Sequence, residues 1–426
     1  MHTITSAAYG PLWRVLRRNL AAKVLHPSCL CRHAAARRRA VSGLVAGITR
    51  QMRGEGVVVI EGLLHRAMFH VLVSMCFGDD GLDDAVVASV TALQREFLTS
   101  VVGFQVFGAW PAVTKLLFWR RLKRMLSIRR RQEELLAPLI RACRERRDAA
   151  GDNFAEDCYA DSLLGLKIPA EDGGGRNLTE SEMVCLCSEF LASGTDSTYR
   201  RRDAMDHGEP RGAAGDPSKA PGRDTPGHRC RSGGHRGGAP AADALPQGRS
   251  AGGAPAAPAG PLHMLPHAAT GEEGGATTLE GFSVPRQASV NFTLAGMALD
   301  EAVWPDAKRF RPERFLPGGE GEDVDLTGSK EIKMMPFGAG RRVCPGIGLP
   351  LLHLEYFVLS LVRELEWKEV PGEPVELTER LQMSLVMKAA APCHGRPVDA
   401  QVTHAHSCTC TRDMQLVEYL DLLIMS

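Results

Sequence analysis

Ten residues, Phe337 to Gly346 (FGAGRRVCPG), set one cysteine in a glycine-rich loop beside two arginines. Glycine lets a backbone approach a ligand with no Cβ in the way. A thiolate stays ionised where positive charge and N–H donors surround it, and Arg342 with the loop amides offers both. Phe337, Gly340, Arg342, Cys344 and Gly346 together outline a loop for a flat, electron-rich ligand. A buried cysteine in an ordinary turn would need no such pattern. Two other spacings carry chemistry. Trp13 and Arg17 are four apart, so on a helix they share a face, although an aromatic and an arginine at that spacing also pack together on ordinary surfaces. Ser193 to Thr198 reads SGTDST: Gly194 leaves out a side chain, and Asp196 adjoins the hydroxyl of Ser197. An acid next to an alcohol can pass a proton; in isolation the same six residues would also suit a cap or turn.

The elements that position these residues are legible from periodicity. Residues 11–24 predict a helix with Pro11 in its first turn, where a missing N–H costs nothing. Apolar residues at three- and four-residue spacing predict helices over 34–53, 57–77 and 82–101. Residues 110–136 mix aromatics with a run of Arg and Lys, the pattern of a solvated basic helix face. After a glycine-rich loop at 173–178, Thr179 is a candidate N-cap and Glu182 completes a capping box, opening the helix that carries SGTDST. Residues 265–316 read as hairpin strands, a short helix and a Pro312-Glu313-Arg314-Phe315 loop, with turn signals at Gly274-Gly275 and Val284-Pro285. An apolar helix over 349–365 follows the cysteine loop.

A chain of 426 residues, 44% hydrophobic, can bury a substantial core and has the length of one large domain or two to three average ones. A net charge of +1 argues against a general nucleic-acid binder. The 12 cysteines are scattered rather than set in a framework, which favours reduced, cytosol-facing thiols. Cys408 and Cys410 have no second pair nearby to complete a zinc site. No uncharged apolar run is long enough for a transmembrane helix or signal peptide.

The F-x-x-G-x-R-x-C-x-G pattern resembles the heme-binding signature of the cytochrome P450 family, plant microsomal type. Trp13 and Arg17 resemble its W-x-x-x-R pair, and SGTDST resembles the A-G-x-D-T-T motif of its long I helix. Ser197 stands where threonine is usual, keeping the hydroxyl but losing the β-branch. The resemblance covers about 1–198 and 263–398. It implies a mainly α fold with small β-sheets, and heme b (iron protoporphyrin) with Cys344 as axial ligand of the iron. It further implies cofactor binding by Phe337, Gly340, Arg342, Gly346, Trp13 and Arg17, with the two arginines and the tryptophan at the propionates. Gly194 would leave room for dioxygen, and Asp196 with Ser197 would deliver protons. The implied activity is that of a heme-thiolate monooxygenase: an NADPH-dependent reductase supplies electrons, and one oxygen atom enters an apolar small-molecule substrate. Residues 110–136 would lie near a membrane-facing substrate entrance, Leu265–Ala268 and Gln382–Met387 along the substrate pocket, and 349–365 on the proximal heme face. The family sits on the cytosolic face of the endoplasmic reticulum membrane by an N-terminal anchor. Here SAAYGPLWRVLRRNL already resembles the C helix, so the chain reads as truncated at its start and lacking that anchor.

Between the two matching parts the composition changes. More than half of residues 201–260 are Gly, Ala or Pro, and none is Ile, Val, Phe, Trp or Tyr. Such a tract buries too little apolar surface to offset its ordering entropy and is expected to be disordered. A shifted reading frame also explains it. Read one nucleotide later, the codons of Ala204–Pro210 permit W-I-M-A-N-L, those of Leu245–Ala251 permit Y-L-K-A-V-V-L, and those of Gly252–Pro258 permit E-G-L-R-R-H-P. These resemble three family segments in the correct order, and the last holds a Glu-x-x-Arg pair. No Glu-x-x-Arg occurs in the chain as translated. In the family that pair joins the arginine of the P-E-R-F loop, so Arg314 is expected to lack its partners, and breaking such a buried pair costs about 3–5 kcal/mol. The chain thus divides into an N-terminal heme-domain part (1–198), a low-complexity, apparently mistranslated part (199–262), a C-terminal part (263–398) and an unassigned tail (399–426). Two other functions stand beside monooxygenation. One is the non-functional product of a damaged or mispredicted gene that binds no heme. The other is a heme-thiolate isomerase or dehydratase, for which the Asp196–Ser197 relay would be superfluous.

Overall fold

The computed structural model describes residues 3–199 and 262–397, apart from intervals at 56–57, 80–81, 109, 171–173, 266–276, 285–289, 308–310, 328, 331, 370–378, 382–384 and 388–391. The tract 200–261, the tail 398–426, the Gly274-Gly275 turn, and 266–268 and 382–384 of the two pocket-border segments therefore lie outside the described residues. What is described is mainly α with small antiparallel sheets, as the sequence implies.

Helices α1 (Pro11–Lys23), α2 (Pro27–Arg32), α3 (Ala34–Glu55), α4 (Ile60–Phe77) and α5 (Asp84–Phe104) fall on the predicted segments, with α2 filling the interval between the first two. Helix α4 turns a broad apolar face inward, where Leu64, Met68, Val71, Leu72, Val73, Met75 and Cys76 are each at most 1% exposed, while Gly62 and Arg66 are exposed and His70 is half-buried on the other side. An apolar face that broad must be covered, and α3, α5 and three later helices pack against it. The basic stretch forms two helices rather than one, α6 (Pro111–Leu117) and the long α7 (Trp119–Ala150). Along α7 the buried residues Ile128, Gln132, Leu136, Ile140 and Cys143 recur every three or four positions, one stripe facing the core. The short α8 (Tyr159–Leu164) leads to α9 (Glu180–Tyr199). The predicted capping box forms: the Thr179 amide donates to Glu182 Oε2 at 2.8 Å, and the Glu182 amide donates to Thr179 Oγ1 at 3.3 Å. Inside, Gln94 and Gln132 donate to Ser188 Oγ at 3.0 and 2.8 Å, tying α5 and α7 to α9 through buried polar groups that satisfy one another.

The strands are short: β1 (Val58–Val59), β2 (Lys167–Pro169), β3 (Gly175–Asn177), β4 (Leu262–Leu265), β5 (Thr277–Leu279), β6 (Phe282–Val284) and β7 (Val290–Thr293). Helices α10 (Leu294–Ala298) and α11 (Gly348–Glu364) precede β8 (Leu365–Glu369), β9 (Glu379–Leu381), β10 (Leu385–Met387) and β11 (Pro392–Pro397). One sheet has the order β1-β11-β8, with Val58 opposite Cys393 and Gly395 opposite Trp367, so the end of the chain's matched region returns beside α3 and α4. The others are pairs, β2-β3, β4-β7, β5-β6 and β9-β10. The β5-β6 hairpin turns on Glu280 and Gly281, both at positive φ, the geometry of a two-residue turn matched to strand twist.

A satellite cluster of Trp304, Ala307 and Met334 underlies the 312–315 loop. Arg314 is 1% exposed there, but it does not lack an ionic partner: Glu320 stands 3.5 Å away, and the guanidinium donates to the Asp306 carbonyl at 3.3 Å and lies over the Trp304 ring. Glu320, six residues downstream, is thus an ion-pair partner that the sequence reading did not foresee, while the Glu-x-x-Arg pair itself is missing from the sequence. Among the described residues Cys29, Cys76, Cys143, Cys158, Cys185, Cys187 and Cys344 are free thiols, whereas Cys31 is disulfide-bonded.

Candidate functional site

The loop of Phe337–Gly346 is closed by its own backbone. The Cys344 amide donates to the Phe337 carbonyl at 2.8 Å, and the Val343 amide to the Gly340 carbonyl at 3.1 Å across a single 3₁₀ turn. Gly338 and Gly340 adopt φ of 71° and 66°, the left-handed region that side chains resist, so the tight fold needs glycine at both. Cys344 is left half-buried at the tip, and the Gly346 amide donates to its sulfur at 3.4 Å. A Cβ at Gly346 would meet Leu25 at 3.6 Å and Cys344 Sγ at 4.0 Å, ordinary contacts. The chain's own packing thus gives no reason for that glycine.

Three predicted residues converge on this loop. Trp13, 5% exposed on α1, lies beside two guanidiniums, with Arg342 4.9 Å and Arg17 5.3 Å from its ring centroid. Arg17 donates to the Val343 carbonyl, and burial lowers its pKa while the neighbouring Cys344 opposes that shift. Arg342 donates to the carbonyls of Ile4 at 3.1 Å and Ala7 at 2.6 Å, and the Trp13 indole N–H also donates to Ile4 at 3.1 Å. A guanidinium has five N–H donors, so both arginines retain capacity for an anionic group. Tyr9 extends the stack, 5.2 Å from Trp13 and beneath Arg341 at 4.6 Å.

The helix bearing SGTDST joins the same site by a contact that sequence reasoning missed. Glu189 on α9 accepts from the amides of Ile4 at 2.9 Å and Thr5 at 2.7 Å, and from the Thr5 hydroxyl. The turn it holds is the one whose carbonyls receive Arg342 and Trp13. Five residues before Gly194, Glu189 carries no local signal in the sequence, because its partners are nearly two hundred positions away. Gly194 itself faces α4, and a Cβ there would stand 2.9 Å from Leu72 Cδ2. Asp196 and Ser197 lie in the last turns of α9, and their side chains are outside the described residues.

The donor set suits a heme: one half-buried thiol with an amide donor, and two arginines flanking a tryptophan beside it, the charges its propionates require. No described helix is long and apolar enough to cross a membrane. Comparison with known proteins then bears on identity. The family model described as Cytochrome P450 matches residues 2–199 and 258–392. Cytochrome P450 89A9 of Arabidopsis thaliana is 37% identical over 400 residues, covering 91% of this chain and 75% of its own length. Cytochrome P450 78A11 of rice (Oryza sativa subsp. japonica) is 28% identical, covering 92% and 70%. Among solved structures, retinoic acid-bound cyanobacterial CYP120A1 superposes with a TM-score of 0.63 at 14% identity, covering 92% of this chain and 80% of its own. A zebrafish cytochrome P450 solved with abiraterone gives 0.61 at 18%, covering 93% and 84%. At such identities the superpositions speak for the fold.

Proposed function

Because the chain belongs to the cytochrome P450 family, whose members are heme-thiolate monooxygenases, we propose that Cys344 would ligate the iron of a heme b and that the protein inserts one atom of dioxygen into an apolar small molecule. Heme held through a thiolate supplies the means to cleave the O–O bond. The chain's own residues have the remaining tasks. The Gly346 amide, 3.4 Å from the sulfur, steadies its negative charge, and the absent Cβ at Gly346 leaves the ligand's face clear. Phe337 and Gly340 shape the loop. Arg17 and Arg342, with Trp13 packed beside them, hold the propionates. Asp196 with Ser197 passes protons to the site; the space left by the missing Cβ of Gly194, by contrast, is filled by Leu72 of α4 and is not the room for dioxygen that the motif implies. Electrons come from an NADPH-dependent reductase.

The observation that carries this reading is the convergence of residues 13–17 with 342–344, more than three hundred positions apart, on one half-buried thiol. The test is the carbon-monoxide difference spectrum of the reduced chain reconstituted with heme. The thiolate-heme band is expected from the wild type and absent from Cys344→Ala. A wild-type chain that binds no heme would refute the assignment and leave the product non-functional.

The cellular reading follows the family: attachment to the cytosolic face of the endoplasmic reticulum membrane. Supporting it, Trp110, Leu116 and Leu117 of the α6 region are 80%, 81% and 69% exposed beside Arg120, Arg121 and Lys123. Apolar anchors next to cations suit a lipid surface. The division at 199–262 is read as a segment translated in a shifted frame, a reading supported by the family match, which passes from residue 199 to residue 258. Sequencing the transcript across codons 199–262 tests it: an adjacent frame encoding W-I-M-A-N-L and E-G-L-R-R is expected, and its absence would overturn the reading.

A further inference from the structure

Away from the heme site, four thiols lie in the core where α4, α7, α8 and α9 meet: Cys76, Cys143, Cys158 and Cys187, all 5% exposed or less. Two of them differ from the rest. Cys143 Sγ on α7 and Cys158 Sγ, at the residue preceding α8, stand 4.0 Å apart. The Arg146 guanidinium donates to Cys143 Sγ at 3.1 Å and lies 4.0 Å from Cys158 Sγ. It also donates to the Phe77 carbonyl at 2.9 Å and faces Asp161 Oδ1 at 3.7 Å. That oxygen is buried and accepts no hydrogen bond.

The fold makes room for this guanidinium. Gly78, at φ 86°, ends α4 where a Cβ would come within 2.8 Å of Arg146 Nη1. Arg146 is also the opening of the cluster, since its side chain is 32% exposed while Asp161 is at 3%. Cys143 therefore has a thiol donor, Cys158, beside its sulfur and a cation, Arg146, on it, and the two together hold its pKa below the usual thiol value against the opposing effect of burial. Cys158 is pushed up by that same hydrogen bond and by burial, and Cys76 is raised by burial and by Cys187. A sulfur that receives a guanidinium thus faces a second thiol 4.0 Å away.

We propose that Cys143 and Cys158 form a reversible thiol–disulfide pair, with Cys143 the nucleophile, Cys158 the resolving thiol and a small peroxide the oxidant. The Cys143 thiolate attacks one oxygen of hydrogen peroxide; the O–O bond breaks, leaving a sulfenic acid and hydroxide, which takes up a proton to become water. The Cys158 sulfur then attacks the sulfenic sulfur. Its proton leaves with the displaced hydroxyl as a second water, and the S–S bond forms. Two thiols are oxidised and one peroxide is reduced to two waters. Small-molecule thiols reverse the reaction by exchange. The disulfide joins α7 to the start of α8, which is bonded to α1 through Asn19 Nδ2 and Ser162 Oγ at 2.9 Å.

Cys143, Cys158 and Asp161 also have ligand atoms within 4.8 Å of one another. A structural zinc site takes four ligands, and the fourth direction here is held by a cation. The disulfide is the chemistry that this charge assists. The reading is independent of heme binding.

The test uses the full chain, folded and reduced, exposed to graded hydrogen peroxide, then alkylated, digested and analysed by mass spectrometry. The expected product is a crosslink between the Cys143 and Cys158 peptides, two hydrogens lighter than the reduced pair and formed at peroxide levels that leave Cys76 and Cys187 unmodified. In Cys158→Ser a dimedone adduct should appear at Cys143; in Cys143→Ser none should appear at Cys158. Arg146→Met should slow crosslinking about tenfold or more, and Arg146→Lys should recover part of the rate. Circular dichroism checks that each variant is folded. Three results would overturn the proposal: no crosslink in the folded wild type, crosslinking only after urea unfolding, or oxidation of Cys143 no faster than of Cys76. Tight zinc binding by the reduced chain that disappears in Cys143→Ser would overturn it in favour of a metal site.

Discussion

Glu189 offers the most direct test of how the arginines of the proposed heme site are held in place. Its carboxylate takes two backbone amides and a hydroxyl from the turn at residues 4 and 5. That turn in turn receives the side chains of Trp13 and Arg342. Hydrogen bonds to a charged group contribute roughly 1.5–3 kcal/mol each, and solvent near the Thr5 contacts reduces this. Glu189→Ala should therefore cost about 3 kcal/mol of stability, a large part of the roughly 5–15 kcal/mol typical of a domain. Glu189→Gln should fall between, because an amide keeps one acceptor oxygen but turns an N–H toward a backbone donor. Thr5→Ala, which removes only the hydroxyl contact, should cost about 1 kcal/mol. Denaturant unfolding of each variant gives the stability order. Heme titration supplies the second readout: loss of even 1.4 kcal/mol at the arginines means tenfold weaker binding, and Glu189→Ala should lose at least about that. A Glu189→Ala protein within 0.5 kcal/mol of wild type would refute the clamp. Lost stability with unchanged heme affinity would refute its link to the site.

Gly194→Ala places a Cβ against Leu72 and should destabilise the chain by about 1–2 kcal/mol; combined with Leu72→Ala the cost should be less than additive, as a double-mutant unfolding cycle would reveal. His353 is 1% exposed on α11, and burial, with Arg37 and His33 nearby, lowers its pKa to about 3 from an ordinary 6.5. The unfolded chain therefore binds the extra proton first, so this contribution to stability is complete above about pH 6.5 and is lost as pH falls toward 3. At pH 5 the loss should be about 2 kcal/mol, and His353→Phe should flatten the stability–pH curve between pH 6.5 and 4 in denaturant titrations. Replacing Trp110, Leu116 and Leu117 together by serine should weaken co-sedimentation with anionic vesicles about tenfold or more while leaving the unfolding midpoint nearly unchanged, since these side chains are already exposed.

The local grammar of the chain was readable in advance because its causes are local. The apolar periods of α3, α4 and α5, the Thr179–Glu182 capping box and the proline at the start of α1 act over a few residues, and each formed as its pattern implied. The cysteine loop named its family from ten residues because a thiolate in a tight turn needs glycine and arginine at fixed positions. Tertiary structure alone decided which distant groups meet. It set Trp13 beside Arg17 and Arg342, gave Glu189 the turn at residues 4 and 5, and brought Glu320 to Arg314, which the sequence reading had left without an ionic partner. It also placed Arg146 on one of four buried thiols. Hydrogen bonds and ion pairs of this kind depend on how helices pack in three dimensions, and nothing in the spacing of residues along a chain records which faces will be turned toward each other.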